Sequence, residues 1–461
     1  MRAIRDPDRL LAEGLAAIRA QFRVPSGFPP EVEAAAQAAA GKQLADHVDR
    51  TVVPFVTLDP ASATDLDQAF ALEPAGADWL LHYAIADVDW FVADGDPVDQ
   101  EAWQRGETTY LPDGKAALYP RALSEGAASL LPDGPRPAVI FTSRIDAEGK
   151  ATLQGAERAV IRSRAKLAYE TVRPDQLPAG FAEIAERLAA ADDARGAARV
   201  DPPEQEVERD ESGHFTLRLR PMNLPERQNA ALSLATNLAV AEALHAAGTG
   251  LFRVMDPPSV EAERRLRHTA RAFGLSWPEG ASLAQFERML DPVDRRAAAF
   301  MLAVRRAGNG ASYVPYRPGV IPWHAAMAAT YCHMTAPLRR LADRYVIRAA
   351  LAVANGRAVP PSAEAAFQQL GPVMDRADNR SGQVERAVID LAEAAILAGR
   401  EGESFAAVVT DHGDSGTRFQ LCELPVVART KAHHVRPGDR IHVRLESADP
   451  TRREVRFARH A

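Results

Sequence analysis

The 461-residue sequence predicts an α+β fold, in which strand- and helix-forming segments up to about residue 400 are followed by a small β-barrel. Three observations lead to this prediction. Segments rich in β-branched and aromatic residues alternate with Ala- and Leu-rich segments of helical spacing up to about residue 400. Residues 401–461 then contain short strand-like segments separated by the turn signals HGDSG, RPGD and DPTRR. The length itself suggests two or three domains, at roughly 150 residues for each.

The N-terminal segment favours helices. Apolar residues at 10, 11, 15 and 18 recur at helical spacing, and a second helical stretch over 31–48 follows a break at 25–30. We therefore expect a helical N-terminal region over 1–48, a larger domain over 49–400 and a barrel domain over 401–461.

The larger domain begins with strands and ends with helices. The patterns predict strands over 51–59, 79–88, 137–146 and 150–161, a helix over 181–195 and a short strand over 214–222. A long helix is expected from Pro225 to Gly248, because Pro is favoured in the first turn and Gly at the end. Further helices are expected over 259–308, 337–355 and 363–401.

The C-terminal segment predicts a small barrel, of the OB-fold type. Its strand-like segments cover 404–413, 417–430, 439–449 and 453–460. Several short strands at this spacing are typical of such barrels.

Composition excludes some classes of protein and leaves nucleic-acid binding open. No apolar run is long enough to cross a bilayer, the N-terminus lacks the features of a signal peptide, and two cysteines make neither a disulfide framework nor a Cys-rich zinc site, so we expect the cytoplasm. The net charge of −7 neither supports nor excludes RNA. Only five of the 55 basic residues are Lys, namely Lys42, Lys115, Lys150, Lys166 and Lys431.

Three carboxylates stand close together in the segment VTLDPASATDLDQAF (56–70). Asp59, Asp65 and Asp67 lie within nine residues, the first at the end of a strand and the others in the turn that follows. Close carboxylates repel one another and usually need a cation, for which the hard, oxygen-preferring Mg²⁺ is the natural choice. Two such ions could stabilise the attacking and leaving oxygens of a phosphodiester. The alternative is that these residues only form Asx turns.

An Arg pair stands at a predicted helix start in the segment YCHMTAPLRRLADRYVIR (331–348). Pro337 suits the first turn of a helix, which would place Arg339 and Arg340 near its positive end. Cations are unfavourable there unless an anion binds at the same spot, where free backbone N–H groups also point. Ala336 is a poor N-cap and would leave such N–H groups for a phosphate oxygen, and Asp343 is expected to orient Arg339. The alternative is a solvated, salt-bridged helix start.

Taken together, these motifs resemble the RNase II/RNase R (RNB) family. TLDP followed by DLD, then HYAIADVDWFV, then TTYLP, then YCHMTAPLRRLAD resemble that family in order and spacing over roughly residues 50 to 400. The strand-rich tail resembles the family's C-terminal RNA-binding OB domain. The resemblance implies an RNB catalytic domain, which is a mixed sheet surrounded by helices. It also implies a Mg²⁺- or Mn²⁺-dependent exoribonuclease that hydrolyses single-stranded RNA from its 3′ end to nucleoside 5′-monophosphates.

The resemblance also implies roles for single residues. Asp59, Asp65 and Asp67 would surround catalytic Mg²⁺, and Arg339 would contact the scissile phosphate with Arg340 beside it.

Substrate-binding residues follow from the same resemblance. Tyr110, in TTYLP, falls where the family stacks an aromatic ring on the 3′-terminal base. Phe252, in TGLFRV, is a candidate for the second ring of that clamp, although a core position explains it equally well. Glu385, in SGQVERAV, falls where the family has an acidic residue near the RNA ribose.

The sequence departs from the family pattern in ways that bear on function. Gln68 stands where a fourth acidic residue is expected, which lowers the negative charge available to one ion. The alternative function is therefore a catalytically impaired RNA-binding or regulatory protein on the same fold. In addition, about 48 residues before the catalytic segment are too few for the family's two N-terminal OB barrels. With a helical segment in their place, we expect a wider channel entrance and tolerance of structured RNA.

Overall fold

The computed structural model describes residues 10–198, 204–209, 215–220, 222–291, 294–308, 310–413, 416–431 and 434–460. The first nine residues of the predicted helical N-terminal region, and residues 214 and 221 of the strand predicted over 214–222, lie outside these ranges.

The α-helices within these ranges, in chain order, are α1 (Leu10–Gln21), α2 (Pro30–Ala40), α3 (Val88–Phe91), α4 (Pro97–Arg105), α5 (Phe181–Arg195), α6 (Leu224–Ala246), α7 (Val260–Ala272), α8 (Leu283–Arg288), α9 (Arg295–Ala307), α10 (Leu341–Ala354) and α11 (Pro361–Leu397). The strands are β1 (Val48–Asp49), β2 (Thr57–Asp59), β3 (Gln68–Ala75), β4 (Asp78–Ala86), β5 (Thr109–Leu111), β6 (Gly114–Ala116), β7 (Arg136–Ile145), β8 (Ala151–Ile161), β9 (Lys166–Ala168), β10 (Glu204–Arg209), β11 (Phe215–Arg220), β12 (Leu251–Val254), β13 (Ser312–Pro315), β14 (Trp323–His324), β15 (Ala329–Thr330), β16 (Ser404–Gly413), β17 (Gly416–Leu421), β18 (Val427–Thr430), β19 (Arg440–Asp449) and β20 (Glu454–His460).

A mixed five-stranded sheet forms the centre of the larger domain. Its strand order is β1-β8-β7-β4-β3, and β1 alone among these runs parallel to its neighbour. The shared core places Phe70, Tyr83 and Phe141 of the sheet with apolar side chains of α6 and α10. The predicted α+β class, with helices around a mixed sheet, is confirmed.

The segment that carries the predicted carboxylates begins and ends at the edge of this sheet. β2 pairs in parallel with the short β9, and the isolated bridge between Val56 and Phe70 connects the residue before β2 to β3. Residues 60–67 therefore form a loop that leaves one strand and enters the next at the same edge.

Several predicted boundaries are wrong for local reasons. The strand predicted over 51–59 is confined to 57–59, and the helix predicted over 31–48 ends at Ala40, where Gly41 caps it. The single helical block predicted over 259–308 is three helices. The helix predicted from 337 begins at Leu341, because Arg340 has extended backbone angles (φ −133°, ψ 123°) and bridges to Glu107.

Capping residues determine where α6 begins. Asn223 accepts a hydrogen bond from the Glu226 N–H, and the Glu226 carboxylate accepts one from the Asn223 N–H at 3.3 Å, which makes a capping box. Leu224 and Pro225 occupy the first turn as predicted for a Pro start.

α1 packs along the C-terminal half of α11. Leu11, Leu15 and Ile18 share a core with Val384 and other side chains of α11. The approach is close enough that a Cβ on Gly14 would lie 2.6 Å from Leu391 Cδ2, so a larger residue there would have to displace the Leu391 side chain. The division of the chain at 48/49 and 400/401 stays a prediction.

The C-terminal strands form the predicted OB-type barrel. Their order is β18-β17-β16-β19-β20, all antiparallel, around a core that includes Val409, Phe419 and Val443. Thr430 Oγ1 donates to the Phe457 carbonyl at 2.7 Å, which links the two end strands and curls the sheet. The strand predicted over 417–430 is two strands, since the chain turns between them.

Three helices (α7–α9) are inserted between the paired strands β12 and β13. Phe273, Phe286 and Phe300 give this insert a core of its own, and Val408 of β16 packs against it. The insert therefore lies against the barrel. Among the helices described here, none is both long enough and apolar enough to cross a membrane.

Candidate active site

The loop that carries the carboxylates is fixed by hydrogen bonds from outside it. Lys166 Nζ donates to the carbonyls of Ala61 (2.8 Å) and Ala63 (2.5 Å). Ser129 Oγ accepts from the Leu66 N–H at 2.9 Å and donates to the Thr64 carbonyl at 2.8 Å. The loop between Asp59 and Asp67 is thus held in one conformation by residues more than 60 positions away.

Asp67 meets the Arg segment directly. Its Oδ1 accepts a 2.7 Å hydrogen bond from the Leu338 N–H, 271 residues away in sequence, and its Oδ2 lies 3.8 Å from Arg339 Nε. Asp67 is buried, whereas the Arg339 side chain is 45% exposed. The structure therefore brings the two predicted segments together, with a guanidinium group that solvent and a ligand can reach.

Two of the carboxyl groups, those of Asp59 and Asp67, have a raised pKa. Burial raises the pKa of Asp59 to about 7, the nearby Asp65 adds to the shift, and Arg339 and Lys166 oppose it. Burial raises the pKa of Asp67 to about 8, Arg339 and the Leu338 N–H oppose the shift, and Asp65 adds to it. Such a cluster favours a proton or a bound cation.

The donor groups fit one hard cation better than two. Asp59 Oδ2 is buried and has no hydrogen-bond partner among the described residues, which suits a metal ligand. However, one oxygen of Asp65 is 2.8 Å from Lys115 Nζ, and the Gln68 side-chain oxygen accepts from the Tyr83 hydroxyl. In the part of the chain that the structure describes, no group of three or more His, Cys, Asp or Glu is already arranged to hold a metal ion.

The two arginines have different surroundings, which corrects the prediction for Asp343. Arg340 donates to the buried Asp343 carboxylate from Nη2 at 2.8 Å and from Nε at 3.1 Å. Asp343 thus orients Arg340, not Arg339. Its Oδ2 also accepts from the Ala336 N–H at 2.8 Å, so that N–H is not available to a phosphate. Arg339 is the member of the pair that faces the carboxylates.

A β-hairpin, β5–β6, forms another wall of the site. Glu107 bridges to Arg340, and the Thr108 N–H donates to the Arg339 carbonyl at 3.0 Å. Tyr110 follows on β5 and is 54% exposed. Burial and the Asp65 carboxylate raise the pKa of Tyr110, and Arg339 opposes the shift.

Phe252 is wrong as a base-stacking residue. Its side chain is fully buried in the main core and packs edge-on against His245, with ring centroids 6.1 Å apart. A ring in that position has no face for a nucleotide, and the core explanation of Phe252 is the correct one. Glu385 is exposed on α11, one residue after the buried Val384, and its role at the ribose stays a prediction.

Helix α6 presents polar residues toward the site at four-residue spacing. Asn229 Nδ2 donates to the Leu58 carbonyl and to the Tyr169 hydroxyl, next to Asp59. Ser233 Oγ donates to Thr335 Oγ1 at 2.9 Å, and Asn237 Oδ1 accepts from the Met334 N–H at 3.0 Å. One face of α6 thus positions both the β2 end and the segment that precedes Arg339.

Sequence reasoning missed the residues that hold the site together. Lys115 and Lys166 are two of only five lysines in the chain, and both contact the loop of the carboxylates. The scarcity of lysine could have pointed to them. In a chain whose basic residues are nearly all Arg, a Lys suggests a site that needs a compact ammonium group. Asn229 and Tyr83 carried no comparable signal.

Comparison with known proteins gives the chain its relatives. The RNB domain model matches residues 47–355, and the model of the RNase II-type exonuclease C-terminal S1 domain matches residues 403–460. Ribonuclease R of Aquifex aeolicus is 26% identical over 95% of this chain and 69% of its own length. Ribonuclease R of Escherichia coli is 26% identical over 90% of this chain, which spans little more than half (57%) of that protein.

Solved structures share the fold. RNase R of Mycoplasma genitalium, in complex with ribose-methylated single-stranded RNA, matches all of this chain and 79% of that one, with a TM-score of 0.85 and 19% identity. Yeast Ssd1, a pseudonuclease, matches 96% of this chain and 57% of that one, with a TM-score of 0.71 and 16% identity. The same fold thus occurs in a ribonuclease and in a pseudonuclease.

Proposed function

The chain belongs to the RNB domain family, and on that premise we propose that it hydrolyses single-stranded RNA from the 3′ end, releasing nucleoside 5′-monophosphates. The observation that carries the proposal is the meeting of Asp67 with the Leu338 N–H (2.7 Å) and Arg339 (3.8 Å) beside Asp59 and Asp65. Carboxylates and an exposed guanidinium group in one place suit a phosphodiester, which needs both cation ligands and charge neutralisation.

Arg339 binds the scissile phosphate in this mechanism. Its guanidinium is partly exposed, and the backbone on either side is fixed by the Asp67 and Thr108 contacts, so it is oriented before substrate arrives. It would neutralise the charge that grows on the phosphate as water attacks phosphorus in line with the leaving 3′ oxygen. Arg340 supports this arrangement because its side chain pairs with Asp343 and its backbone bridges to Glu107.

Asp59 and Asp67, together with the oxygen of Asp65 that Lys115 does not contact, would hold Mg²⁺ or Mn²⁺. When bound, the ion would lower the pKa of the attacking water and offset part of the phosphate charge. The carboxylates supply the negative charge that binds the ion. The hydrogen bonds that Lys166 and Ser129 make with the loop over residues 60–67 keep these carboxylates at one edge of the sheet.

Recognition of the RNA end would rest on Tyr110 and Glu385. Tyr110 is exposed beside Arg339 and can stack on the last base, which stabilises binding by about 1–3 kcal/mol for any base. Glu385 would accept a hydrogen bond from a ribose 2′-hydroxyl, the group that distinguishes RNA from DNA. The OB-type barrel would bind the RNA upstream of its end.

The compartment proposed for this activity is the cytoplasm. Among the described residues neither Cys332 nor Cys422 forms a disulfide, and Cys332 is buried, as expected of a protein folded in reducing surroundings.

A direct test uses 5′-labelled oligo(A). With Mg²⁺ the labelled RNA should shorten stepwise and release AMP, and EDTA should stop the reaction. A label at the 3′ end should be lost in the first step, as AMP. Endonucleolytic fragments, or shortening from the 5′ end, would contradict the proposal.

A second candidate is an RNA-binding protein without turnover. The Gln68 amide is engaged by Tyr83, one oxygen of Asp65 is engaged by Lys115, and the pseudonuclease Ssd1 has the same fold. Retention of oligo(A) in a binding assay with no metal-dependent shortening would select this candidate.

A further inference from the structure

Lys115 forms an ion pair with one of the three carboxylates. Its Nζ lies 2.8 Å from Asp65 Oδ1 and 3.1 Å from Glu125 Oε1, and all three side chains are at most 20% exposed. Arg121 Nη2 lies 3.0 Å from Glu125 Oε2, so Glu125 has a cation of its own on its other oxygen. Among the described residues, Lys115 is the cation that pairs with Asp65.

The register of the β5–β6 hairpin determines the side of the hairpin on which Lys115 projects. Tyr110 and Lys115 are directly opposite each other on β5 and β6, and opposite residues of an antiparallel pair project from the same face. Lys115 Nζ lies 2.8 Å from Asp65 Oδ1, so this face of the hairpin is the one toward the carboxylates. Lys115 thus shares the face of the hairpin that meets the substrate.

The hairpin itself is fixed to two other elements. Arg19 of α1 pairs with Asp113 in the hairpin turn at 2.8 Å, and Ala116 lies in the core between α1 and α11. The Leu118 N–H donates to Thr108 Oγ1 at 3.0 Å across its base. A hairpin held in this way keeps the ammonium in place before any ligand binds.

A fixed ammonium group changes the number of ions that the site can take. A divalent ion at Asp65 would face the like charge of Lys115 a few ångströms away, in surroundings that screen charge poorly. Gln68 contributes no negative charge to compensate, and its oxygen is occupied by Tyr83. In contrast, Asp59 has a buried oxygen with no partner among the described residues, and can ligate one ion.

We propose that Lys115 is a built-in cation of the nuclease centre: it occupies Asp65 in place of a second divalent ion, so that the protein binds one such ion per chain. The inference rests on the proposed nuclease function for its chemical meaning. Its content is narrower, because it concerns which cation sits at Asp65. In the reaction, the ammonium would supply the positive charge beside the phosphate that the missing ion does not supply.

The test counts bound Mn²⁺ by electron paramagnetic resonance of the free ion, in titrations of the full chain. Wild type should bind one Mn²⁺. Lys115→Met leaves Asp65 without its cation and should bind two. Lys115→Arg, which keeps the charge, should bind one, and so should Lys150→Met, which removes an exposed lysine in the β7–β8 turn. Should Lys115→Met not fold, as judged by circular dichroism, Lys115→Gln is titrated in the same way.

Two or more Mn²⁺ on wild type, none on wild type, or one on Lys115→Met with unchanged affinity would each overturn the inference. Oligo(A) digestion on the same samples separates it from the proposed function. We expect Lys115→Met to lose about 10²-fold of the wild-type rate at low Mn²⁺ and to recover at least tenfold as Mn²⁺ rises. A wild type that cleaves RNA with two ions bound defeats the inference alone, and a wild type that binds one ion without cleaving defeats the function alone.

Discussion

At the scale of single residues, the partner of each charged group decides its role. Arg339 and Arg340 are adjacent, yet only Arg339 lies next to the carboxylates, while Arg340 is held by Asp343, whose side chain is fully buried. A sequence motif treats the two as a pair. The structure divides them into a group that can bind substrate and a group that maintains the backbone.

Substitution of each arginine by Ala should therefore give different losses. Arg339→Ala should lower kcat by about 10²–10³-fold, a loss typical for removing one group that stabilises transition-state charge, with little change in melting temperature. Arg340→Ala leaves Asp343 buried and unpaired, and should destabilise the fold by about 3–5 kcal/mol. Steady-state kinetics and urea unfolding measure the two effects. A strongly destabilised Arg339→Ala beside a stable Arg340→Ala would reverse the assignment.

The response to Mg²⁺ should depend on pH in a defined direction. The pKa values of Asp59 (about 7) and Asp67 (about 8) lie above the ordinary carboxyl value of about 4, so the metal-free fold binds more protons than the unfolded chain. The stability linked to these protons is fully present below pH 4 and is lost as pH rises from about 4 to 8. Mg²⁺ binds the ionised carboxylates and should restore stability where protons have left.

Differential scanning calorimetry checks this expectation. At pH 8, Mg²⁺ at 100 times its Kd should raise the free energy of unfolding by about 2.7 kcal/mol, and the melting temperature should rise clearly. At pH 5.5 the melting temperature should rise only slightly. The Asp59→Asn variant is the control and should show a smaller shift at pH 8. An equal Mg²⁺ shift at both pH values would show that these carboxylates do not bind the ion.

The residue types of the site were predictable, but their pairings were not. Asp59, Asp65, Asp67 and Arg339 stand out because charged residues in those local contexts need an explanation. The Lys115–Asp65 pair joins residues fifty positions apart through a hairpin that sequence patterns did not predict. Phe252 failed for the converse reason, since an aromatic residue in an apolar segment gives no sign of which way its ring points.

At the scale of elements, a short hairpin and a helix start build the site. β5–β6 is only two three-residue strands, yet it supplies Tyr110, Lys115 and the Glu107 bridge to the Arg segment. The start of α10 is delayed to Leu341 by the same contact, because Arg340 pairs with Glu107 in extended form instead of entering the helix. The delayed start turns the Leu338 N–H toward Asp67.

Removing the exposed ring of this hairpin should weaken RNA binding. Tyr110→Ala should raise the Kd for oligo(A) roughly 5- to 150-fold, which corresponds to about 1–3 kcal/mol of lost stacking. Tyr110→Phe keeps the ring and should bind nearly as wild type. Fluorescence anisotropy measures both Kd values, with each change made in an Asp67→Asn variant so that the RNA is not cleaved. Equal affinity of the Ala and Phe variants would remove Tyr110 from the base-binding site.

Long periodic elements were predicted well, and short ones were not. The helix over 181–195 is at its predicted bounds, and α6 begins at its predicted Pro start. The helical spacing and the capping residues of these segments are local signals. The start of α10 and the hairpin depend on each other across more than 200 residues, and no local signal carries that dependence.

At the scale of the whole molecule, the helical insert ties the barrel to the catalytic domain. Gly438 in a barrel turn approaches α7 so closely that a Cβ there would lie 1.9 Å from the Ala272 carbonyl oxygen, and its φ of +91° also favours glycine. The contact sets where the RNA-binding barrel stands relative to the insert.

Gly438→Ala should therefore separate the barrel from the insert. We expect a lower melting temperature and a weaker affinity for long RNA, while hydrolysis of very short RNA, which needs only the site itself, changes little. Gly280→Ala is the matched control, because a Cβ there meets nothing within 4 Å. Identical long-RNA affinity of the two variants would mean that the barrel position does not matter for binding.

The architecture of the whole molecule followed from the sequence more readily than its contacts did. The change from helix-forming to strand-forming segments near residue 400 predicted the barrel, and the resemblance to the RNB family implied the mixed sheet before it. The packing of the insert on the barrel was not predictable, since it depends on backbone approach at Gly438 and on apolar contacts such as Val408 against α7–α9.

The central claim is that the carboxylate loop and Arg339 act together on the last phosphodiester of an RNA. A crystal structure of Asp67→Asn bound to oligo(A) tests it most directly, because this variant should bind RNA without cleaving it. The account predicts the final phosphodiester in contact with the Arg339 guanidinium and the last base stacked on Tyr110. An RNA whose 3′ end lies away from Arg339 and the Asp59–Asp67 loop would contradict it.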